Sequence, residues 1–317
     1  MLGKWVALIG AALLLAACGA ADIPYETLRS KYASPASRWA ELPGGLKVHY
    51  RDEGNPAGRP VVLVHGYSAS VHAWEPWVAR LSGRYRLISL DLPGHGLTEA
   101  PPGYLSTGEA NAEIVDQLTR KLGVQRFVLA GNSMGGAVAW TYALAHPERL
   151  DGLVLVAAAG WPRPEGSQEG APLVFRLLAN PVGRAVLRRM DPAAMARDGL
   201  EDAYLDKALV TPQLLTRYAE LARAPGHRDI LLTGGGSRAT VTPQTFAAIR
   251  TPTLVMTGEQ DKLIPASDSR AFAAAIPGAK LVIYPDGGHV PMEQLPDRSA
   301  ADMAAWLETL TSPPPSP

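Results

Sequence analysis

Short apolar runs alternate with amphipathic stretches along most of the chain. Each run is short enough for a strand buried on both faces, and each amphipathic stretch has helical spacing. The pattern predicts strands at 60–66, 85–94, 126–133, 150–160, 251–258 and 279–285, and helices at 72–82, 107–122, 135–146 and 297–310. This alternation favours an α/β fold in which a mostly parallel central sheet is flanked by helices.

One antiparallel feature precedes these elements. Segments 38–42 and 46–53 have strand-like patterns, and Pro43, Gly44 and Gly45 lie between them. Proline and glycine in so short a connection are typical of a hairpin turn. We therefore expect a β-hairpin at the start of the fold.

The alternation stops between residues 161 and 225. This stretch has helical patterns that begin near Pro162, Pro192 and Pro212, and it contains no evident parallel strand. Open α/β sheets bind ligands at the carboxyl ends of their strands. We therefore interpret 161–225 as a helical cap over that edge, inserted into a core formed by 39–160 and 226–312.

The first residues are typical of an export signal. Lys4 is followed by an apolar run at 5–17, which is too short to cross a bilayer comfortably and ends in small residues. Residues 1–17 are therefore predicted to be a signal peptide. The polar stretch 18–38 is interpreted as a tether that reaches about 25 Å if it is flexible. The alternative is that Tyr25, Leu28 and Tyr32 dock on the body of the protein.

The end of this signal resembles the lipobox of bacterial lipoproteins, because residues 15–18 read Leu-Ala-Ala-Cys. The resemblance implies that Cys18 becomes the first mature residue, carries acyl chains such as palmitate, and anchors the protein in the cell envelope. Gly19 implies the outer rather than the inner membrane if the organism is Gram-negative. Cys18 is also the only cysteine, so it cannot form an internal disulfide.

Charge and composition narrow the classes of partner. Thirty basic and thirty acidic residues cancel, so the chain lacks the charge excess that nucleic-acid binding normally requires. The seven histidines have no spacing typical of a metal site. We expect no metal and no cofactor, a small-molecule or lipid substrate, and a monomer as the default state.

The candidate chemistry begins at Gly131-Asn132-Ser133-Met134-Gly135, a G-x-S-x-G motif between a predicted strand and a predicted helix. Such a motif exposes a serine at a sharp turn. A serine hydroxyl is a weak nucleophile and needs a neighbouring base, a role that histidine fills near neutral pH. A carboxylate then orients the imidazole and stabilises its cation.

With these motifs the chain resembles the α/β-hydrolases that carry a cap domain. The matching segments are VLVHGY at 62–67, LDLPGHG at 90–96, GNSMGG at 131–136, GEQDKLIP at 258–265 and GGH at 287–289. The resemblance and the chemistry together assign Ser133 as nucleophile, His289 as base and Asp261 as orienting acid. They also imply an oxyanion hole formed by the main-chain N–H groups of Tyr67 and Met134.

Other polar residues receive structural interpretations. His65 and His95 are expected to support their loops, and Asp91 to order the loop at 90–96. Asp286 is a weaker alternative for the acid. The remaining histidines, His49, His72, His146 and His227, have no evident partners and are expected at the surface or in packing.

The substrate pocket is less well defined by the sequence. Trp161, Phe175, Leu178 and Val290 are the candidate lining residues. A cap must also bury an apolar face, so core packing is the competing interpretation for Phe175 and Leu178. Trp161 leaves the preceding strand towards the cap, which is why it is included.

These observations favour a serine hydrolase that cleaves carboxylic esters, as an esterase or a lipase, through an acyl-enzyme. The first alternative is a carbon–carbon bond hydrolase of the meta-cleavage type, which shares the triad and the cap. In that group an aromatic residue often follows the histidine, whereas this chain has Val290, although Arg184, Arg188 and Arg189 could bind a carboxylate. The second alternative is a non-catalytic surface binding protein on the same fold.

Overall fold

The computed structural model describes residues 21–162, 177, 180–187, 192–233 and 241–310. Within them the chain forms an eight-stranded sheet in the order β1-β2-β4-β3-β5-β6-β7-β8. The strands are β1 Ser37–Leu42, β2 Leu46–Gly54, β3 Pro60–Val64, β4 Arg86–Leu90, β5 Phe127–Asn132, β6 Leu150–Val156, β7 Thr253–Gly258 and β8 Lys280–Tyr284. β1, β2 and β4 pair in antiparallel fashion, and every pairing from β4 to β8 is parallel.

Helices cover both faces of this sheet. They are α1 Tyr25–Tyr32, α2 Glu75–Leu81, α3 Gly108–Lys121, α4 Met134–Ala145, α5 Pro181–Leu187, α6 Pro192–Ala203, α7 Pro212–Leu221, α8 His227–Thr233, α9 Pro243–Ala247, α10 Ala266–Ala275, α11 Pro291–Gln294 and α12 Pro296–Thr309. Alternate side chains of β3 point to opposite faces, so Val62 and Val64 pack with α3 and α4 while Val61 and Leu63 pack with α2 and α12. The result is a three-layer α/β fold, as the sequence predicts.

The predicted hairpin, the parallel strands and the long helices are confirmed to within a few residues. Three boundaries differ. The strand predicted at 85–94 ends at Leu90. The helix predicted at 72–82 opens with a 3₁₀ turn, Val71–Trp74, and the strand predicted at 150–160 ends at Val156. Ala157 has a positive φ of 44°, which does not belong to extended backbone.

The helical insertion continues beyond its predicted end at residue 225. α8 follows Gly226 and packs against α5, so it belongs with the cap helices rather than with the core sheet. No helix of the described residues is both long and apolar enough to cross a membrane. The signal peptide, Cys18, Phe175 and Leu178 lie outside those residues.

The tether interpretation is wrong for residues 25–32, which form α1. Leu28 is only 1% exposed and packs with Leu97, Leu221 and Ala224. Tyr25, Leu28 and Tyr32 have the i, i+3, i+7 spacing of one helix face, so they dock together, as the alternative interpretation expected. The polar residues between them hide this stripe in the sequence.

Candidate active site

Ser133 occupies the turn between the end of β5 and the start of α4. Its backbone has φ 53° and ψ −116°, a conformation that side-chain-bearing residues rarely adopt. The Ser133 N–H donates to the Val156 carbonyl at 3.0 Å, and the Ala159 N–H donates to the Ser133 carbonyl at 2.9 Å. These bonds to the last residue of β6 and to the chain just after it hold the turn in its strained geometry.

The glycines of the motif permit this turn. A Cβ on Gly131 would lie 2.1 Å from the carbonyl oxygen of Gly135, and a Cβ on Gly135 would lie 2.1 Å from that of Val64. The start of α4 therefore touches the backbone of β5 and β3 directly. Only glycine fits at either position without moving the main chain.

His289 and Asp261 meet at the same edge of the sheet. The imidazole Nδ1 lies 2.7 Å from Asp261 Oδ2, and both side chains are buried. Asp261 Oδ1 accepts the main-chain N–H groups of Leu263 at 2.8 Å and Ile264 at 2.9 Å. The carboxylate is thus fixed on one oxygen and leaves the other for the histidine.

Asn132 links this histidine loop to the serine turn. Its side-chain amide donates to the carbonyls of His289 and Val156, each at 3.1 Å. The His289 N–H donates in turn to the carbonyl of Ala203 at the end of α6, at 2.8 Å. This role of Asn132 is not predictable from the sequence, because its partners are 24 and 157 residues away along the chain.

A cavity of about 550 Å³ lies between these residues and the cap. Ser133, His289, Tyr67 and Val290 form its core side. Its cap side comes from α6, from α8 and from the end of α7. The apolar lining residues there include Met195, Leu200, Ala203, Ala222, Leu231 and Leu232, and the charged ones are Asp198, Glu201, Asp202, Lys207 and Arg228. Such a mainly apolar cleft with a few polar groups is typical of a site for a small organic ligand.

Tyr67 and Met134 occupy the positions expected for main-chain donors. Tyr67 follows Gly66 on the cavity wall, and Met134 is the first residue of α4, where the helix dipole favours negative charge. Within the described residues, neither N–H donates a hydrogen bond. The Tyr67 hydroxyl donates to the Leu231 carbonyl at 3.1 Å, so this side chain also connects the core to α8.

The pocket residues have mixed outcomes. Val290 lines the cavity as predicted. Trp161 does not, because its ring stacks on Phe246 with a centroid distance of 5.2 Å and meets Phe272 edge-on. The aromatic packing of α9 and α10, which the sequence did not reveal, explains this error.

The buried histidines form a network around Asp91. Asp91 Oδ2 lies 2.7 Å from His49 Nδ1 and accepts the N–H of Leu97 at 2.8 Å, so the carboxylate orders its loop as expected. His49 is therefore partnered, contrary to expectation, and its Nε2 lies 2.8 Å from Ser37 Oγ. Ser37, His49 and Asp91 are connected to one another as serine, histidine and aspartate are in a catalytic triad, but none of them lines the cavity. Their role is structural.

An alternative acid and a possible metal-binding group can also be assessed from the structure. Asp286 is exposed and pairs with Arg298 at 2.6 Å, so it does not face His289. Glu113, Asp116 and His146 bring potential metal ligands within 4.8 Å of one another. The Asp116 carboxylate already accepts bonds from three side chains, which are Tyr142, Arg149 and Arg120. We therefore assign no metal to this group.

Glu293 was missed by the sequence interpretation. It lines the cavity four residues after His289, and its Oε1 atom is buried without a hydrogen-bond partner. Burial raises the pKa of this carboxyl to about 7, against the opposing effects of a hydrogen bond from Tyr204 and the charge of Arg217. A partly protonated acid therefore stands beside the candidate site near neutral pH.

The chain matches the family model for the alpha/beta hydrolase fold over residues 59–295. The protein therefore belongs to the alpha/beta hydrolase family. One relative, the 2-hydroxy-6-oxo-6-phenylhexa-2,4-dienoate hydrolase of Burkholderia cepacia, is 30% identical over 259 residues, which cover 77% of this chain and 85% of that protein.

Two solved structures are also similar. A thermophilic esterase from Thermogutta terrifontis has a TM-score of 0.72 and 26% identity, with 87% of this chain and 99% of that chain covered. A membrane phospholipase A, described as a bacterial virulence factor, has a TM-score of 0.70 and 27% identity, with 98% and 97% covered. Hydrolysis is the chemistry these relatives share.

Proposed function

We propose that the protein is a serine hydrolase of carboxylic esters in which Ser133, His289 and Asp261 form the catalytic triad. Ser133 Oγ attacks the ester carbonyl while His289 takes the hydroxyl proton, and the proton then passes to the departing alcohol. Water, activated by the same imidazole, releases the acid from the acyl-enzyme. Asp261 holds the Nδ1–H tautomer and stabilises the imidazolium.

The N–H groups of Tyr67 and Met134 complete this proposal as the oxyanion hole. Negative charge develops on the carbonyl oxygen during attack, and fixed donors stabilise it without having to reorganise. Both N–H groups lack partners within the described residues and flank Ser133 from two different elements. No cofactor is required for this chemistry.

The observation that carries the proposal is the 2.7 Å contact of His289 with Asp261, at the cavity that Ser133 also lines. Packing alone does not account for a serine held at φ 53°. This backbone conformation is strained, and contacts with neighbouring residues must offset its energetic cost. The similarity to an esterase and to a phospholipase A supports an ester as the substrate.

The test is hydrolysis of p-nitrophenyl esters with acyl chains of two to sixteen carbons by protein lacking residues 1–18. We expect turnover that Ser133→Ala abolishes, together with labelling of Ser133 by a fluorophosphonate probe. The chain-length profile separates an esterase from a lipase. A folded protein that neither turns over esters nor reacts with the probe would contradict the proposal and favour a non-catalytic binding protein.

A carbon–carbon bond hydrolase is the second candidate, because the Burkholderia cepacia relative is a hydroxy-oxo-phenylhexadienoate hydrolase of 30% identity. It would use the same three residues on a dienone substrate. Parallel assays with one ring-cleavage dienone distinguish the two candidates. Rapid dienone cleavage with weak ester turnover would favour this second function.

We further propose that Cys18 is lipidated and anchors the protein in the bacterial cell envelope. The lipobox-like residues 15–18 support this proposal, as does the similarity to a membrane phospholipase A over 98% of the chain. An ester lipid of the same membrane is then a natural substrate. Mass spectrometry of the mature N-terminal peptide tests for the acyl chains directly.

A further inference from the structure

The segment around α1 lies against α8, which forms one side of the cavity. Arg228, Leu231 and Leu232 of α8 line the cavity. The Arg228 guanidinium donates to Asp22 Oδ1 at 2.7 Å, just before α1 begins. A residue of the cavity wall is therefore paired directly with the N-terminal segment.

Tyr25 makes a junction between three parts of the protein. Its hydroxyl donates to the carbonyl of Thr98 in the core at 3.0 Å and lies 2.9 Å from Nε2 of His227, the first residue of α8. The carbonyl of Pro225, in the connection between α7 and α8, is 3.4 Å from the same hydroxyl. One side chain of α1 therefore contacts the core and the base of the cavity wall together.

Apolar and main-chain contacts reinforce this junction. Leu28 is buried against Leu97 of the core and against Leu221 and Ala224 of the cap. The Ile23 N–H donates to the Arg223 carbonyl at 2.8 Å, as in a short strand-like pairing. The N-terminal segment therefore spans the boundary between cap and core, rather than resting on one of them.

α8 depends on such contacts for its position. It has only seven residues, and a helix of this length is not stable in isolation. Gly226, with φ 81°, separates it from α7, so it does not continue that helix rigidly. Its own links to the core include the bond from Tyr67 to Leu231 and the contact of His227 Nε2 with the Thr98 carbonyl at 3.1 Å. The second of these converges on the same carbonyl that Tyr25 contacts.

We propose that Tyr25 and Asp22 are positioning residues of the substrate pocket, which fix α8 at the distance from Ser133 that sets the accepted chain length. This inference rests on the proposed ester hydrolase function. Neither residue lines the cavity, so they act through Arg228 and His227 rather than by touching the substrate. The substrate class affected is that of esters with chains long enough to reach Leu231 and Leu232.

The experiment compares the full mature chain with the double variant Asp22→Asn/Tyr25→Phe. Both changes keep the shape of the side chain and remove only the bonding groups. Ser30→Ala is the matched control, because among the described residues the Ser30 hydroxyl bonds only within α1, to the Thr27 carbonyl at 2.8 Å. Circular dichroism first verifies that all three proteins are folded.

Hydrogen exchange of the α8 amides is the first readout. We expect exchange at 227–233 to accelerate at least about threefold in the double variant and to stay unchanged in Ser30→Ala, because the loss of these hydrogen bonds favours local opening. Unchanged exchange in the folded double variant would overturn the inference. This measurement needs no substrate, so it remains decisive if the wild-type protein cleaves no ester.

The chain-length profile is the second readout. We expect kcat/KM for an octanoyl ester to fall roughly three- to tenfold in the double variant, chiefly through KM, and to fall less for an acetyl ester. A general structural defect would instead lower kcat for both esters alike. Equal losses for both esters would therefore overturn the assignment of these residues to chain-length selection.

Discussion

Glu293 allows a quantitative test of how the cavity is built. Its carboxyl lies on the cavity wall with one oxygen unpartnered, and burial raises its pKa to about 7. Tyr204, Tyr218, Arg217, Glu75 and His289 are the titratable or charged groups around it. Glu293→Gln keeps the size and the hydrogen-bonding oxygen of the side chain but removes its ability to ionise.

The sign of the effect follows from linkage. The ordinary pKa of a glutamate is 4.5, so between pH 4.5 and about 7 the folded protein keeps a proton that the unfolded chain has lost. The free energy of unfolding therefore falls as pH rises through this range. The rise of the pKa from 4.5 to about 7 corresponds to a loss of about 3 kcal/mol in the free energy of unfolding, complete by pH 8. The glutamine variant does not suffer this loss.

The assay is urea unfolding of wild type and Glu293→Gln at pH 4.5 and pH 8. We expect the free energy of unfolding of the variant, relative to that of the wild type, to be about 3 kcal/mol higher at pH 8 than at pH 4.5. Glu308→Gln is the control, because Glu308 is an exposed partner of Arg84 on the surface of α12. The difference in free energy of unfolding between this variant and the wild type should change by less than about 0.5 kcal/mol between the two pH values. A flat difference for Glu293→Gln as well would refute the reasoning that burial keeps this carboxyl protonated.

Three other predictions concern the site and the anchor. Asp261→Asn should lower kcat roughly 10²- to 10⁴-fold with little change in KM, because the imidazole loses the partner of its Nδ1–H; an effect on KM alone would contradict this role. Gly135→Ala should destabilise the protein by about 2 kcal/mol or more in thermal unfolding, since its Cβ would lie 2.1 Å from the Val64 carbonyl, whereas Gly83→Ala has open space and should be neutral. Cys18→Ser should move the protein from the membrane to the soluble fraction of cells, and a variant that stays with the membrane would exclude lipidation as the anchor.

The parts of the site that the sequence predicts are those set by the sheet itself. Parallel strands place their carboxyl ends at one edge, so residues that follow β5, β7 and β8 must come together there. The structure accordingly brings His289 to Asp261, although 28 residues separate them. The glycines around Ser133 are predictable for the same reason, because close approach of backbones is a local requirement of the turn.

The parts that the sequence does not predict depend on contacts between distant segments. His49 finds its partner 42 residues away in Asp91, and no spacing rule relates the two. Trp161 was placed in the pocket because it leaves β6 towards the cap, but Phe246 and Phe272 supply an aromatic surface that it packs on instead. Glu293 has a raised pKa because it is buried in the folded protein, and nothing near it in the sequence indicates that burial.

If Cys18 is lipidated as proposed, the docking of the N-terminal segment would also limit the movement of the protein on the membrane. A flexible tether from Cys18 to residue 38 would let the folded body rotate freely and change its distance from the bilayer. Because the Ala21 carbonyl already accepts a bond from Arg223 at 2.8 Å, only three peptide steps separate Cys18 from the folded body, a span of at most about 11 Å. An acyl anchor at Cys18 would therefore be joined to the folded body by a short connection. Such a connection would restrict tumbling and keep the edge of the protein at Arg223 and Arg228 facing the lipid.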